Sequence, residues 1–569
     1  MKKSNFHEVF TKFWRADKGY VITIFISKIK DIPRPLIYAL CTKFLINELN
    51  EKTNIRNITF VLFIILLAEV IANFYDIWVN NRYSLKKHEE ISKILMSDFM
   101  KNISKIQLEY FESPDLSNKI SLATNELLRT YFYLFTCYVD TFVSVVSMLI
   151  LITFVFNISR NIIIVSAIVL ILYFITSHEI NKIKLSHEKL KLPLEKAKRY
   201  FANTLSEYDD IVNIRYHMCE DYFVDKWTEN ADKIIDIVEK LPKKFWVYEL
   251  INSNLFPIFQ YATIAYTAYI VWNGSITVGS FSALLQAIIS FINQLKRCSE
   301  ISLYMNKYSS NLKIIREIDQ YIPEYGDDTN KAFLDTSKAH TIEFKNLSFS
   351  YGQSKNKILN DVSFKINPGE KVAIVGHNGC GKSTLIKLIL RLYEPPENTI
   401  FIDNIDIRRY DLKSLRTNFS VVMQNQPNYA VTILENIILK KCTSGKDAKN
   451  VINSLKNALL YDKVSLYSEG LYSSVTKMFD SKGICFSGGE NQKLNMSRFF
   501  NKNASILILD EYEKWLDCDS NRKIFENILK FAKNKTLFII THDKKILRLV
   551  DKVINLSGNN IHFTDKVVQ

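Results

Sequence analysis

An all-α membrane domain of six spans, followed by an α/β domain built around a phosphate loop, is the fold class this sequence predicts. Three observations carry it. Long apolar runs crowd the chain before residue 300, and none of comparable length follows. Residues 376–384 read Gly-His-Asn-Gly-Cys-Gly-Lys-Ser-Thr, which fits the G-x-x-x-x-G-K-[ST] phosphate loop without a mismatch. The third is a short apolar stretch, Ser505–Leu509, that ends in the paired acids Asp510 and Glu511.

A chain of 569 residues is too long for one core and predicts roughly three or four domains. Its eight cysteines are scattered singly, with no CxxC pair, so reduced thiols are expected rather than disulfides or a metal site. The formal net charge is +15, but Lys and Arg are dispersed beside the apolar runs. That pattern suits an anionic inner leaflet and argues against nucleic acid as a partner. At the N-terminus, Phe6–Trp14 mixes charge with aromatic residues and lacks the apolar core of a cleavable signal. An amphipathic helix on the membrane surface is expected there.

The membrane domain is assigned to residues 1–320, with spans at about 20–46, 58–77, 131–156, 162–177, 255–272 and 278–295. Ile58–Ile77 carries Glu69 and Asp76, Tyr131–Phe156 carries Asp140, and the last two spans are uncharged. The connections Arg82–Arg129 and His178–Pro242 are long and basic, whereas 47–57, 157–161 and 273–277 are short. Lys and Arg favour the cytosolic side, which places the N-terminus, the long connections and the C-terminal domain in the cytosol of a multi-pass cell-membrane protein. The long connections read as helices continuing beyond the bilayer.

Tyr20–Ile46 is interrupted by Lys28-Ile-Lys-Asp-Ile-Pro-Arg-Pro35. Alone it reads as two short helices; ahead of five other spans it reads as one membrane helix with a polar middle, bent at Pro33 and Pro35. Lys30 and Arg34 share a helix face, and Lys28 and Asp31 stand three apart, within pairing reach. Charges at that depth line a cavity or pair with one another. Lys28, Lys30, Asp31 and Arg34 are thus either a cavity surface for an acidic group on a solute or members of a network with Glu69, Asp140 or Glu249.

Residues 321–340 are polar and read as a linker, and the second domain spans 341–569. Thr341–Tyr351 alternates as a strand, and Ile358–Ile366 follows as another, closed by the turn Asn367-Pro-Gly-Glu370. Val372–Val375 is a β-branched strand pattern leading into the phosphate loop, and Leu385–Leu390 continues a helix out of it. In such a loop the backbone N–H groups of Gly376, His377, Asn378, Gly379, Cys380 and Gly381 close around phosphates at a helix N-terminus. Lys382 reaches the terminal phosphates, Ser383 holds Mg²⁺, and Thr384 follows. Asp510 and Glu511, delivered by a buried strand, suit metal coordination and water activation respectively. Thr536–His542 is one more short strand, ending in a histidine.

Phe486-Ser-Gly-Gly-Glu-Asn-Gln492 completes a pattern. With the phosphate loop, it resembles the ATP-binding cassette exporters in which a six-span membrane domain precedes the nucleotide-binding domain. The resemblance implies that Tyr351 stacks on adenine and that Gln424, in Val421–Asn425, senses Mg²⁺. It implies further that His542 contacts the γ-phosphate and that Asp517 lies in a loop crossing between paired domains. Ser487, Gly488, Gly489 and Glu490 would act on ATP held by a second half-transporter, a homodimer by preference or a heterodimer. Leu108–Asp115 resembles the first coupling region of peptide and lantibiotic-type exporters, and Ile214–Glu220 stands where the second would be. A peptide is therefore the expected cargo, with a lipid or drug-like amphiphile as the alternative. A membrane-bound ATPase with a regulatory or protective role is the third reading.

The chain departs from the family pattern at Glu490, where Gln is usual, and at Tyr512–Asp517, where Pro-Thr-Ser-Ala-Leu-Asp is usual. Trp515 and Asp543 also replace the expected Ala and Arg. Thr476–Gly483 stands in place of the acidic loop Thr-Glu-Val-Gly-Glu-Arg-Gly. These departures leave the hydrolytic residues intact, so an active ATPase is expected.

Overall fold

The protein is described from a computed structural model covering residues 4–51, 55–158, 160–273, 276–324, 331–352, 356–424, 426–441, 445–557 and 560–565. Parts of the connections 47–57, 157–161 and 273–277 and of the 321–340 linker, together with Asn425 and Cys442, lie outside the described residues. The chain divides into two compact units, one formed by 1–104 and 117–320, the other by 105–116 and 321–569.

Within the first unit, α1 (Asn5–Ala16) meets α2 (Lys18–Ile29) at Asp17, whose carboxylate caps α2 by accepting from the Tyr20 amide at 2.8 Å. A turn then leads to α3 (Arg34–Glu51) and α4 (Ile55–Trp78). A π-turn at Val79–Tyr83 joins α4 to α5 (Ser84–Ile103). The short α6 (Leu108–Phe111) belongs to the second unit. The first unit continues with α7 (Pro114–Ile158), α8 (Arg160–Thr204), α9 (Tyr208–Tyr216), α10 (Glu220–Glu239), α11 (Lys243–Trp272) and α12 (Val278–Ile318). By length and composition, three continuous helical segments of the described residues can cross a membrane: Ile55–Ile103, Pro114–Phe156 and Val278–Ile318.

Two sequence readings are refined here. Residues 20–46 form two helices rather than one bent helix, broken at the turn over residues 30–33. Pro33 lacks the amide donor that would continue α2, and Pro35 falls in the first turn of α3, where its missing donor costs nothing, so the chain restarts a helix there. Because of that break Lys28 does not pair with Asp31; its ammonium lies 3.1 Å from Asp140 on α7. The apolar residues of α1 are divided: Val9 and Phe13 are fully buried, and Phe13 stacks on Phe135 of α7 with ring centroids 4.5 Å apart, while Phe6 and Trp14 stay exposed, as an amphipathic surface helix requires. Glu8 on the same helix accepts from the Tyr131 hydroxyl at 2.9 Å and from Arg316 Nε at 2.7 Å.

α12 packs its small residues Gly279, Ser280, Ala283 and Ala287 inward, and Gly279 allows the close approach of α3. A Cβ added there would stand 2.4 Å from the Lys43 carbonyl oxygen.

The second unit holds two sheets. β1 (Ile342–Phe349) pairs antiparallel with β2 (Leu359–Ile366), and later with β4 (Ile400–Ile402), beside β5 (Ile405–Asp406). β3 (Lys371–Val375) leads into α13 (Lys382–Ile389). After β5 come α14 (Leu412–Thr417) and β6 (Phe419–Val422). A helical subregion follows: α15 (Ile433–Ile438), α16 (Gly445–Asn457), α17 (Tyr461–Ser465) and α18 (Gly488–Asn501). The chain ends with β7 (Ile506–Asp510), α19 (Cys518–Phe531), β8 (Thr536–Ile540), α20 (Lys544–Leu547), β9 (Lys552–Ser557) and β10 (Asn560–Asp565).

The larger sheet runs β10-β9-β3-β8-β7-β6, parallel from β9 through β6. β7 and β8 are buried at every position, which is why they read as continuous apolar runs rather than alternating ones. Each fully buried Ile or Leu there contributes about 1.5–3 kcal/mol by leaving water.

Candidate functional site

The parallel register brings four loops to one edge of the larger sheet. Ile374 aligns with Ile540, and Ile540 with Asp510. The phosphate loop after β3, the acids at the end of β7, His542 after β8 and Gln424 after β6 therefore emerge together, at the C-terminal ends of parallel strands where such sheets bind ligands.

Gly379 and Gly381 adopt φ of 84° and 97°, a backbone region that a side chain would strain. Gly376 is needed for a different reason: a Cβ there would lie 2.4 Å from the Leu556 carbonyl oxygen. Lys382 opens α13, and its ammonium donates to the carbonyls of Gly376 at 2.6 Å and His377 at 3.0 Å.

A cavity of about 870 Å³ lies over this loop. His377, Asn378, Gly379, Gly381, Lys382, Ser383 and Thr384 form one wall. Gln424, Glu511 and His542 form the other, so residues separated by up to 165 positions meet there. Cys380 is buried beneath the loop, in the core against β2 and α13. Tyr351 stands behind the wall, its hydroxyl donating to Thr384 Oγ1 at 3.2 Å and its ring edge-on to Tyr393.

Ser383 and Asp510 come together as the metal reading requires, the hydroxyl donating to Asp510 Oδ2 at 3.2 Å. Burial pushes the Asp510 carboxyl above its ordinary range, with Glu511 adding to the effect and Ser383 opposing it. Glu511 sits at φ 47°, its amide donating to Ile540 O at 3.0 Å and its carboxylate accepting from Gln424 Nε2 at 2.6 Å. Among the described residues no cluster of three His, Cys, Asp or Glu side chains forms a resident metal site. Ser383 stands on the cavity wall and Asp510 is buried behind it within hydrogen-bond reach, and the two are hard oxygen donors that fit a Mg²⁺ delivered with a nucleotide.

Two wall residues carry no role in the sequence reading. Glu513 receives the Thr541 hydroxyl on Oε1 at 2.5 Å while Oε2 is buried without a partner among the described residues, and Lys514 lies 3.9 Å from Glu511. Burial pushes Glu513 above its ordinary value, and Asp543 and Glu511 add to that. The sequence signal for both was present in the divergence of residues 512–517.

The segment Ser487–Glu490 lies off the cavity wall and caps α18 instead. The Ser487 hydroxyl accepts from the Glu490 amide, and the Glu490 carboxylate accepts from the Ser487 amide at 2.9 Å, a complete capping box. Burial works to raise the Glu490 carboxyl, but its bond to Lys463 and the Ser487 amide hold it below its ordinary value. Trp515, exposed by 72 % and at φ 74°, lies over the two glycines: a Cβ on Gly488 would touch its ring at 3.5 Å, and one on Gly489 would meet its carbonyl oxygen at 2.9 Å. Asp517 caps α19 by accepting from the Ser520 amide at 2.9 Å, which holds its carboxyl below the usual range.

In the first unit the candidate charges pair. Arg34 donates to Glu69 through Nε at 3.0 Å and through a second nitrogen, and Lys30 pairs with Asp76 while donating to Ala72 O at 3.1 Å. Asp140 receives Lys28 and Arg297, the latter at 2.9 Å. Glu249 lies 4.0 Å from Lys184 instead. Asp76 is a partner that spacing along the sequence does not reveal.

Residues 359–513 match the family model described as ABC transporter. The chain is 27 % identical to the putative multidrug export ATP-binding/permease protein YgaD of Bacillus subtilis (strain 168), over 97 % of this chain and 95 % of that one. It is 23 % identical to the nisin transport ATP-binding protein NisT of Lactococcus lactis subsp. lactis, over 96 % and 91 %. An ATP-dependent lipid A-core flippase of Coxiella burnetii (strain RSA 493 / Nine Mile phase I) is 31 % identical over 50 % of this chain, which spans about half of that relative's length. Among solved structures, a bacterial Atm1-family ABC exporter with ATP bound superposes with a TM-score of 0.81 at 20 % identity, covering 97 % of this chain and 95 % of the other.

Proposed function

We propose, for a chain that belongs to the ATP-binding cassette exporters and joins a membrane half to a nucleotide-binding half, a dimeric pump that expels a peptide from the cytosol. As in other exporters of this family, ATP hydrolysis is coupled to transport. The observation that carries the rest is the cavity wall, which gathers Lys382, Ser383, Glu511 and His542 while Ser487–Glu490 stays off it.

On this reading the phosphate-loop amides and Lys382 bind the β- and γ-phosphates. Ser383, Asp510 and Gln424 would hold Mg²⁺, which supplies charge neutralisation when bound. Glu511, oriented by the Gln424 amide, takes the proton of a water as its oxygen bonds to the γ-phosphorus. The bond to the bridging oxygen breaks, leaving ADP and phosphate, with His542 beside the γ-phosphate. Ser487 and Gly488 of the partner subunit would close the site, so one chain alone leaves it incomplete. Tyr216 and Met218, exposed by 78 % and 88 % at the end of α9, offer apolar surface to a partner half-transporter. The membrane would be the cell membrane, with the nucleotide-binding half in the cytosol.

Peptide cargo rests on the nearly full-length likeness to NisT and on the segment around Phe111. The equally long likeness to YgaD favours a second reading, a drug-like amphiphile. The test is ATPase turnover of the purified chain, wild type against Glu511→Gln. Turnover that depends on Glu511 supports the homodimer, whereas none from the chain alone overturns it in favour of a heterodimer. ATP-driven accumulation of a labelled peptide, but not of a labelled amphiphile, in inside-out vesicles separates the two cargoes.

A further inference from the structure

Between α3 and α4 lies a second cavity of about 360 Å³, within the size range of small-ligand sites. Its wall is largely apolar, with Ile37, Ile64 and Ile65 on it, and Asp31, Arg34 and Glu69 stand at its polar end beside Lys30. Both cations are already engaged: Arg34 by two bonds to Glu69, Lys30 by Asp76 and the Ala72 carbonyl. A solute carboxylate would therefore have to displace an existing pair.

Asp31 is different. Among the described residues its carboxylate meets a single cation, Arg34, at 3.7 Å, beyond hydrogen-bond distance. The cluster counts Lys30 and Arg34 against Asp31, Glu69 and Asp76, a surplus of one negative charge. A carboxylate at membrane depth is stabilised by a cation or by donors that satisfy its oxygens, and an apolar wall offers neither.

We propose that this cavity binds a hydrophobic monocation, an ammonium or quaternary centre on an apolar body, with Asp31 as its counter-ion. The site takes that chemistry whether the ammonium is the amino group of a peptide or that of a non-peptide amphiphile. Its role as the cargo's anchor rests on the export reading, but binding itself requires no nucleotide.

The experiment uses the full chain in a neutral detergent, without nucleotide, and equilibrium dialysis of two probes of the same shape and opposite charge, tetraphenylphosphonium and tetraphenylborate. Saturable binding of the cation alone is expected, with Asp31→Asn weakening it about tenfold or more and Asp31→Glu restoring it. Glu249→Gln, outside the cavity, leaves it unchanged. Glu511-dependent ATPase in Asp31→Asn shows that the variant is folded. Equal binding of both probes, or wild-type affinity in Asp31→Asn, overturns the proposal. A hydrophobic peptide with a free N-terminus that displaces the cation, where its acetylated form does not, identifies a peptide amine as an occupant. Displacement by a tertiary alkylamine alone identifies the non-peptide class. Failure of vesicle transport with cation binding intact would overturn export and leave the site standing.

Discussion

Replacing Tyr512 by Phe should stabilise this protein, a sign opposite to that of most core substitutions. Tyr512 is fully buried, within the core formed by α18, α19 and β7, and its hydroxyl has no partner among the described residues. Burial pushes its phenol well above the ordinary value, with Glu513 and Asp543 adding to the shift. An unsatisfied buried hydroxyl costs about 1–3 kcal/mol, and Phe removes it without changing the ring. The void of one oxygen returns a few tenths of a kcal/mol at about 24 cal/mol per Å³. A net gain of about 1–2 kcal/mol remains, equivalent to roughly 2–4 °C per kcal/mol in a domain of this size. The assay is thermal melting of the full chain in detergent, following the transition that ATP shifts upward. ATPase turnover should not change, because Tyr512 is absent from the cavity wall and its carbonyl still accepts from Gln492 Nε2 at 2.8 Å. A fall in Tm, or a change in turnover beyond about twofold, would refute the reasoning by showing that the hydroxyl is satisfied in the working dimer. Gln492→Leu at the other end of that bond should act with the opposite sign, costing about 1–3 kcal/mol by leaving the Tyr512 carbonyl without its donor.

Glu511→Gln should lower turnover by about 10²–10⁴-fold while retaining ATP binding, measured by steady-state hydrolysis and nucleotide titration. Gly279→Ala should destabilise the membrane half by about 1–3 kcal/mol, since its Cβ would stand 2.3 Å from Asn47 Oδ1 and 2.4 Å from Lys43 O; a lower melting temperature with the nucleotide-dependent transition unmoved is the expected readout. Glu490 sets a pH dependence. Its carboxyl is held below the ordinary value near about 4.3, so its contribution is complete above that value and is lost as pH falls through the folded one. Acid melting of the wild type should therefore be steeper than that of Glu490→Gln.

The nucleotide site was legible because its chemistry is local. A phosphate loop needs consecutive residues, and a buried strand ending in Asp510 and Glu511 announces itself without knowledge of its neighbours. What the sequence could not supply is pairing across elements. Amphipathicity told that α1 has a face to bury, but not that Phe135 of α7 would cover Phe13 while Phe6 and Trp14 stay exposed. Summed hydropathy joined residues 20–46 into one span, because it does not register the missing amide donor at Pro33. The partner of Lys30 proved to be Asp76 on α4, a choice fixed by helix rotation and invisible to spacing. Glu513 escaped notice because its position follows the acids that draw attention, yet the fold turns it onto the same wall.

Residues 105–116 belong to the nucleotide-binding unit although more than two hundred positions separate them from the rest of it. Gln107 donates to Ile322 O at 3.3 Å, Glu324 to Lys105 O at 2.6 Å, and Tyr393 to Glu112. During synthesis this segment leaves the ribosome first and has nothing to dock on. At about 5–20 residues per second, roughly 20–90 s pass before the chain it must meet is complete. The membrane helices flanking it are made in that interval, so the unit can only close around a segment whose two ends are already fixed. The order of translation thus makes the nucleotide-binding half the last to assemble, and an error in residues 105–116 would appear as a defect in a unit encoded for the most part after residue 320.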